Sequence, residues 1–329
     1  KSWLYKFFKF KFKFKKPPKK KILIYDRVSK DFAELLFKKK DYEFLDVRYE
    51  SVNLYVLFLT FKRFGFKNLR DNYKKCYIEL VNPKLVYTAI DNNPSFYLLK
   101  SFYSRSTYIV DQNGMRDNKF FDSCKKIIKY QSKKLKADHI FLFGNDEKKR
   151  FLKIIKANIH CLGNTKNNHY FARKRKNFSK IKSIMFIPSG TYYSNTFKND
   201  KIIFSHLNKF CLKKGISLSI CSRGGPSKEK FYIKNFAQGK WIYIPQINTR
   251  KTYKYLNSQQ MVVFAHSTLG YEAMSKGIKC AVFHENFPIR EHYVKYPKSG
   301  IFWNNSKHYY YIEKTLNKVI RISNKNLNK

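Results

Sequence analysis

Hydroxyl side chains near the C-terminus stand where they could bind an anionic group. Ser267 and Thr268 lie between the apolar residues 261–265 and a segment with helical spacing that ends before Gly277. A hydroxyl at a helix start can cap the helix, and the amide groups of the first turn favour a phosphate or sulfate oxygen. Residues 261–283 therefore predict either a phosphate-binding loop or a plain capped helix between two strands.

Three other polar segments follow apolar runs in the same way. They are residues 91–93, residues 112–114, and residues 189–191 together with 223–225. In open α/β sheets, ligands bind beyond the carboxyl ends of the strands. We therefore expect the ligand-binding residues of this protein in these loops and at Ser267 and Thr268.

The elements that would position these loops alternate along the chain between strand and helix patterns. The predicted strands are 21–26, 42–47, 85–90, 107–110, 139–144, 183–190, 216–225, 241–245, 261–265 and 279–283. The predicted helices are 31–40, 52–61, 73–80, 95–102, 127–135, 201–214 and 268–276. This alternation predicts an α/β fold with parallel, doubly wound sheets.

The domain organisation follows from a polar and basic stretch in the middle of the chain, where apolar periodicity is lost. We expect a leader at 1–20, an N-terminal Rossmann-like domain at 21–165, a linker at 166–181 and a C-terminal Rossmann-like domain at 182–329. A cleft between the two domains would bring the polar loops together.

The leader contains nine lysines and no carboxylate, with phenylalanines that alternate with lysines between Phe8 and Phe14. As a strand, this segment would place rings on one face and ammonium groups on the other, which suits an anionic lipid interface. A disordered basic leader explains the same residues.

The formal net charge of +47 has two explanations. One is a biased composition rich in Lys, Asn, Ile, Phe and Tyr, and the other is an anionic surface, for which a membrane is the expected partner. We expect no nucleic-acid partner, because the sequence contains no recognised nucleic-acid-binding motif. It also contains no apolar run long enough for a transmembrane helix and no CxxC spacing, so a reducing, cytoplasmic compartment is expected.

Several segments together resemble a known family. The segment HSTLGYEAMSKG at 266–277 resembles the STLGYE segment of bacterial surface carbohydrate biosynthesis proteins, which look like GT-B glycosyltransferases. The segments KILIYDR, FLDVRYESVNL, AIDNN and DQNGMRD of the N-terminal half, and SGIFW at 299–303, are similar in order and spacing to that family. The resemblance implies two Rossmann-like domains facing a cleft, and a role in O-antigen, lipopolysaccharide or capsule assembly.

The resemblance also implies a donor site in the C-terminal half. Its Ser-Thr loop is similar to one that holds the phosphate of a CMP-sugar in some bacterial transferases, although His266 stands where an acidic residue is common. The residues expected to bind the donor are Ser189, Gly190, Arg223, Ser267, Thr268, Gly270 and Glu272. Arg223 would contact phosphate through its guanidinium group, and Glu272 would accept from a ribose hydroxyl.

The N-terminal half is expected to bind the acceptor and to supply the catalytic carboxylate. We predict Asp91 for the acid-base or nucleophilic role, with Asp111 and Asp26 as competitors, although an aspartate at a strand end often only caps a helix. The predicted acceptor-binding residues are Asn92, Asn93, Gln112, Asn113 and Gly114. No DxD pair is placed to hold a metal, so we expect a metal-independent reaction without a cofactor.

The sequence therefore predicts a glycosyltransferase that uses a nucleotide-sugar donor and a glycan or lipid-linked glycan acceptor. It would act in the cytoplasm or peripherally at the inner face of the bacterial inner membrane. Two alternatives stay open at this point: a CDP-polyol phosphotransferase of the teichoic-acid type, and a non-enzymatic basic protein that binds nucleic acid.

Overall fold

The chain folds into two compact units, each built on a parallel sheet. A computed structural model describes residues 11–48, 50–116, 118–131, 135–170, 180–189, 195–222, 228–236, 239–265, 267–283 and 299–322. The N-terminal unit comprises Lys1–His169 and the C-terminal unit Tyr170–Lys329. The predicted α/β class with two Rossmann-like units is confirmed by the strand order of both sheets.

The N-terminal unit follows the predicted alternation of strands and helices. Its strands are β1 (Lys11–Lys13), β2 (Ile22–Tyr25), β3 (Tyr42–Leu45), β4 (Ser51–Asn53), β5 (Leu85–Thr88), β6 (Thr107–Asp111), β7 (Leu135–Leu142) and β8 (Ile155–Cys161). Its helices are α1 (Lys30–Leu36), α2 (Leu54–Phe64), α3 (Leu69–Val81), α4 (Pro94–Phe102), α5 (Asn118–Gln131), α6 (Asn145–Phe151) and α7 (Thr165–His169). Short 3-10 turns occur at Arg27–Ser29 and Lys39–Asp41.

Six of these strands form one sheet in the order β3-β2-β5-β6-β7-β8, and every neighbouring pair is parallel. Leu23 and Tyr25 pack into the core on one face of the sheet, and Ile24 packs into a second core on the other face. Burial on both faces explains why the β2 segment is a continuous apolar run. Strands β1 and β4 pair with each other in a separate parallel ribbon.

The C-terminal unit has a second six-stranded sheet. Its strands are β9 (Ser183–Ile187), β10 (Ser217–Ser222), β11 (Trp241–Pro245), β12 (Met261–Phe264), β13 (Lys279–Phe283) and β14 (Trp303–Asn304). Its helices are α8 (Asn195–Lys214), α9 (Glu229–Asn235), α10 (Thr249–Ser258), α11 (Thr268–Ser275) and α12 (Tyr309–Arg321).

The strand order β11-β10-β9-β12-β13-β14 reverses direction between β9 and β12. The chain moves outward from β9 to β11 on one side, then returns to start β12 on the other side of β9. Ile187 pairs with Phe264 at the carboxyl ends of these two strands, so the loops that follow them leave the sheet side by side. In doubly wound sheets such a switch point opens a crevice that binds ligands.

Several elements differ from the sequence-based expectation. The elements that were not predicted are strands β8 and β14 and helices α6, α7, α9, α10 and α12, most of which are short. Residues 52 and 53, expected in a helix, belong instead to β4, since pairing with β1 satisfies their backbone groups. The helix expected at 127–135 instead spans Asn118–Gln131, and β7 already begins at Leu135.

Within the described residues, no helix is both long and apolar enough to cross a bilayer.

Candidate functional site

The carboxyl edge of the C-terminal sheet contains a polar pocket at the switch point. The pocket has a volume of about 180 Å³. Its lining comprises Ile187, Pro188, Ser189, Cys221, Gln246, Ser267 and Thr268. These residues end or follow four neighbouring strands, β11, β10, β9 and β12. Of the predicted donor-binding residues, the structure thus brings Ser189, Ser267 and Thr268 together around one cavity.

Ser267 and Thr268 lie at the start of α11, as the sequence indicates. Ser267 occupies the N-cap position with extended backbone angles, but its side chain makes no capping hydrogen bond to the helix amides. Its hydroxyl is therefore not consumed by the helix, although the capped-helix interpretation requires this bond. Since both residues line the cavity, their hydroxyl groups are placed to act as donors to an anionic ligand.

Ser189 is held by a buried carboxylate on α8. Asp200 is 1% exposed and accepts hydrogen bonds from the Ser189 amide nitrogen at 2.8 Å and from its hydroxyl oxygen at 3.2 Å. Burial raises the pKa of Asp200 to about 7, and the two hydrogen bonds from Ser189 act in the opposite direction. Asp200 therefore fixes the position of Ser189 in the pocket and is close to its ionisation point at neutral pH.

The other polar groups that line the pocket are the thiol of Cys221 and the side-chain amide of Gln246. The Gln246 side-chain nitrogen donates to the Cys221 sulfur at 3.6 Å. Burial raises the pKa of Cys221 to about 11, so this thiol is neutral at physiological pH. A neutral thiol is a poor nucleophile. Cys221 therefore contributes shape to the pocket, and Gln246 contributes a polar group.

Gly270 has a packing role that the sequence did not reveal. A Cβ atom at this position would lie 2.2 Å from the Phe264 ring, so only glycine lets α11 pack this closely on β12. Its amide donates to the Ser267 carbonyl oxygen at 2.9 Å. This amide is thus engaged within the first turn, and the predicted role of Gly270 in donor binding stays a prediction.

Glu272 accepts a hydrogen bond from the Tyr253 hydroxyl, which joins α11 to α10. Burial, with a further contribution from the Glu272 charge, raises the pKa of Tyr253, so the tyrosine keeps its proton and remains the donor. This bond ties Glu272 to the packing of two helices. Its predicted contact with a ribose hydroxyl stays a prediction. Gly190, Arg223 and His266 lie outside the described residues, as do residues 1–10 of the leader.

In the N-terminal unit, Asp91 is buried in an ion pair. Asp91 is 0% exposed, and its two carboxylate oxygens accept from Nε and a terminal nitrogen of Arg116. The backbone amide of Asn113 also donates to it, at 3.1 Å. These contacts join the loop after β5 to the loop after β6. They give Asp91 a structural role, and its catalytic role stays a prediction.

The side chains of Gln112 and Asn113, which were expected to bind a sugar, form hydrogen bonds within the protein. Gln112 is 2% exposed, its side-chain nitrogen donates to the Gly114 carbonyl oxygen at 2.9 Å, and its side-chain oxygen accepts from the Phe143 amide at 2.8 Å. The Asn113 side-chain oxygen accepts from Arg116. These hydrogen bonds shape the loop, and the predicted acceptor contacts of Gln112, Asn113 and Gly114 stay a prediction.

Asn92 and Asn93 have different environments. Asn92 is exposed, whereas Asn93 is the N-cap residue of α4 and accepts from the Ser95 amide at 3.1 Å. The exposed amide of Asn92 is available for a ligand. The acceptor role of both residues stays a prediction.

The two competing carboxylates are also buried and hydrogen-bonded. Asp26 is 0% exposed, accepts from Arg48 at 2.6 Å, and has a φ of 74°, in the region that favours glycine. Asp111 is 4% exposed and accepts from the hydroxyl groups of Tyr87 at 2.7 Å and Thr165 at 3.2 Å. Burial raises the pKa of Asp111, and the two hydroxyl partners act against this shift.

Asp200, Gln246, Cys221 and Arg116 were missed from the sequence. One sequence feature could have indicated Asp200, since it is the only carboxylate in the otherwise basic helix Asn195–Lys214. Cys221 and Gln246 stand at strand ends, which is the position that marked the other site residues. Among the described residues, no group of three or more His, Cys, Asp or Glu side chains is placed to hold a metal ion.

The comparison with family models supports the resemblance seen in the motifs. Residues 188–329 match the model of a family described as "putative O-antigen biosynthesis protein". The match begins at the pocket residue Pro188 and covers the rest of the C-terminal unit. The resemblance to O-antigen biosynthesis proteins is thereby confirmed for this part of the chain. A sequence comparison with curated proteins gives no match.

Solved structures show the same fold at low sequence identity. One is described as "putative UDP-N-acetylglucosamine 2-epimerase from Listeria monocytogenes", with 14% identity, a TM-score of 0.55, and coverage of 94% of this chain and 92% of that one. The wall teichoic acid polymerase TagF has 11% identity and a TM-score of 0.53, and the alignment covers 94% and 83% of the two chains. The UDP-GlcNAc 2-epimerase from Neisseria meningitidis has 13% identity, a TM-score of 0.50, and coverage of 91% and 83%. These likenesses confirm the GT-B-like fold class.

Proposed function

We propose that the chain is a glycosyltransferase that transfers a sugar from a nucleotide-sugar donor to a bacterial surface polysaccharide or lipopolysaccharide acceptor. The observation that carries this proposal is the convergence of Ser189, Ser267 and Thr268 around one pocket at the switch point of the C-terminal sheet. Hydroxyl donors at that place suit the phosphate of a nucleotide. The family match over the same unit supports a role in O-antigen assembly.

In the proposed reaction, the bond between the anomeric carbon and the donor phosphate oxygen breaks, and the acceptor oxygen bonds to that carbon. The acceptor hydroxyl gives up its proton to a carboxylate, and the nucleotide leaves with both electrons of the broken bond. Ser267 and Thr268 would stabilise the charge that develops on the leaving phosphate. The resemblance of the Ser-Thr loop to one that holds the phosphate of a CMP-sugar supports a CMP-linked sugar as donor.

We propose that the N-terminal unit binds the acceptor, with Asp91 as the catalytic carboxylate and Asn92 as a contact. In this proposal Arg116 orients the Asp91 carboxylate through their ion pair. Substituting Asp91→Asn and Asp111→Asn in separate variants distinguishes the two carboxylates. Loss of kcat with unchanged donor affinity is expected for the catalytic one, and the same loss in the Asp111 variant alone would assign the role to Asp111.

The donor site is tested by binding CMP-, UDP- and GDP-sugars to the wild type and to a Ser267→Ala/Thr268→Ala variant. Each hydrogen bond to a charged group contributes about 1.5–3 kcal/mol, so the double variant should bind the preferred donor at least about tenfold more weakly. Ser275→Ala is the matched control, because Ser275 is an exposed hydroxyl at the other end of the same helix. No binding of any nucleotide sugar, or equal affinity in the double variant, would refute the proposal.

A second candidate function is transfer of a polyol phosphate from a CDP-linked donor. The likeness to TagF, which extends over 94% of this chain, favours testing it. Both reactions use a nucleotide phosphate as leaving group, so donor binding alone does not separate them. Analysis of the product linkage does: a glycosidic bond supports the glycosyltransferase, and a phosphodiester bond supports the phosphotransferase.

We also propose a location at the inner face of the bacterial inner membrane, where a lipid-linked acceptor would be accessible. The excess of basic residues supports this location through attraction to anionic lipid. Neither a cofactor nor a metal ion is required in the proposed reaction.

A further inference from the structure

The exposed phenylalanines of the protein are concentrated in one part of the N-terminal unit. Within the described residues, five phenylalanines are highly exposed, and all of them lie between residues 12 and 66. They are Phe66 at 79%, Phe14 at 71%, Phe58 at 69%, Phe61 at 46% and Phe12 at 43%. Phenylalanine has no polar tip, so its exposure is unfavourable in water and indicates a surface that binds something apolar.

Helix α2 presents its larger apolar side chains to solvent instead of to the core. The buried residues of this helix are Val56 and Thr60, whereas Tyr55, Phe58 and Phe61 are exposed. These three residues recur every three positions and therefore form one stripe along the helix. A helix of a water-soluble domain normally has the opposite arrangement, with its apolar stripe facing the core.

The β1 strand lies beside the start of this helix. Phe12 pairs with Val52 across the β1-β4 ribbon, and α2 begins directly after β4. Asn53 fixes the junction, because its side-chain nitrogen donates to the Lys15 carbonyl oxygen at 2.9 Å and its side-chain oxygen caps α2 through the Val56 amide at 3.1 Å. At the other end of α2, the Phe66 and Phe61 rings pack edge to face, with centroids 4.7 Å apart.

The same surface is basic. Segments 11–21 and 51–70 contain eleven lysines and arginines and no aspartate or glutamate. Two of these cations pair with carboxylates from elsewhere, since Lys13 lies 3.6 Å from Asp46 and Arg63 lies 2.7 Å from Glu79. Several exposed lysines have no carboxylate within 4.0 Å in the described part of the chain: Lys11, Lys15, Lys16, Lys62 and Lys67.

We propose that β1, α2 and Phe66 form a docking surface for an anionic lipid bilayer, here called the aromatic-basic surface. Its phenylalanines would enter the boundary between headgroups and acyl chains, and its lysines would contact the headgroup phosphates. Each basic residue near an anionic membrane contributes about 1 kcal/mol. This inference refines the peripheral location in the proposed function by assigning it to folded residues and to a lipid class.

A bilayer fits this surface better than a nucleic acid or an acidic protein. The exposed aromatic rings could stack on nucleic-acid bases. The stripe on α2, however, is flanked by half-buried leucines, which add aliphatic area to the surface. Leu54, Leu57 and Leu59 of α2 are all of intermediate exposure. Aliphatic groups gain little from stacking on bases and gain more from hydrocarbon. The bilayer is therefore the partner that satisfies every group on the surface.

The test uses the full chain and sedimentation with lipid vesicles. Wild-type protein is mixed with two kinds of vesicle. One contains phosphatidylcholine alone, and in the other about one third of the lipid is phosphatidylglycerol, which mimics an anionic membrane. We expect binding to the anionic vesicles, and weaker binding at high salt. A Phe58→Ser/Phe66→Ser variant should lose at least about tenfold in vesicle affinity, because two rings leave the interface.

The matched control is Tyr130→Ser/Tyr310→Ser, which removes two rings that are 78% and 64% exposed on α5 and α12. This control should bind vesicles like the wild type. Circular dichroism and the thermal unfolding midpoint of each variant confirm that the fold is intact. Nucleotide-sugar binding, measured without vesicles, should be equal in all variants, so failure of the lipid inference leaves the donor-site test unaffected.

Two results would overturn the inference. The first is wild-type vesicle affinity in the Phe58→Ser/Phe66→Ser variant, which would assign any membrane binding to other parts of the chain. The second is binding of the wild type to single-stranded RNA or to an acidic polypeptide through these two phenylalanines, with no binding to anionic vesicles.

Discussion

The carboxylate of Asp200 holds Ser189 by two hydrogen bonds at the edge of the switch-point pocket, at 2.8 Å to its amide nitrogen and 3.2 Å to its hydroxyl oxygen. An ionised carboxylate can only accept hydrogen bonds, so the Ser189 hydroxyl donates its hydrogen bond to Asp200. A protonated carboxyl group can donate to the Ser189 oxygen and free its hydroxyl to donate into the pocket. The charge of Asp200 therefore decides whether Ser189 offers a proton to a phosphate.

Donor affinity should consequently fall as the pH rises through about 7, the raised pKa of Asp200. Loss of one donor and the appearance of a nearby negative charge should weaken binding by roughly threefold to tenfold between pH 6 and pH 8. Isothermal titration calorimetry with a nucleotide sugar measures the affinity at each pH. The phosphodiester of this ligand does not titrate in that range, so a change in affinity reports on the protein. An Asp200→Asn variant should bind with nearly constant affinity, and an unchanged pH profile in that variant would contradict the mechanism.

The same carboxyl group should make stability depend on pH. The folded protein keeps the Asp200 proton up to about pH 7, whereas an unfolded aspartate loses it near its ordinary pKa of 3.8. The folded state binds more protons between these values, so the free energy of unfolding falls as the pH rises through that interval. The decrease should reach at most about 4 kcal/mol. Urea unfolding at several pH values tests this, and Asp200→Asn should remove most of the slope.

Breaking the Asp91–Arg116 pair should destabilise the N-terminal unit. Arg116→Met leaves the Asp91 carboxylate buried without its cation, which costs about 3–5 kcal/mol in comparable ion pairs. Arg63→Met is the matched control, since the Arg63–Glu79 pair is largely exposed and should cost less than about 1 kcal/mol. Denaturant unfolding of both variants gives the comparison. Equal stability of the two variants would show that the buried pair is not structural.

Gly270→Ala should destabilise the C-terminal unit by about 1–3 kcal/mol, because its methyl group would overlap the Phe264 ring. Gly144→Ala is the control, since a Cβ atom at Gly144 meets nothing within 4 Å and its φ of −173° suits any residue. A second substitution, Phe264→Leu, should recover part of the loss by making room. Thermal unfolding midpoints would measure all three variants, and a stable Gly270→Ala protein would disprove the close packing of α11 on β12.

The cysteines should differ in their reactivity in the folded protein. Burial raises the pKa of Cys124 and Cys211 to about 12 and that of Cys221 to about 11, and a thiol reacts as the thiolate. Cys76 and Cys280 are also buried, whereas Cys161 is only partly buried. Iodoacetamide at neutral pH should label Cys161 first, and all six cysteines after denaturation. Mass spectrometry of the peptides reads this out, and rapid native labelling of Cys221 would mean that the pocket is more open than described.

Much of the fold was predictable because its signals are local. The apolar run of β2, the apolar run of β12 and the helical spacing after Ser267 each depend on residues that are neighbours in sequence. Strand β8 and helix α10 were not predicted from their own residues; β8 is an edge strand that pairs with β7, and α10 buries Thr252, Tyr253 and Leu256.

The sequence by itself determined the α/β alternation, the two units and the location of polar residues at strand ends. Only the tertiary structure decided which strand ends become neighbours. The pairing of β9 with β12 brings Ser189 beside Ser267, which is 78 positions later in the chain, and burial of α8 places Asp200 against Ser189. Likewise, the tertiary structure buries Asp91 and Gln112, whose side chains then form hydrogen bonds within the protein, and it leaves Phe58 and Phe66 exposed to solvent. Pairing and burial depend on contacts between residues far apart in sequence, so no local pattern could determine them.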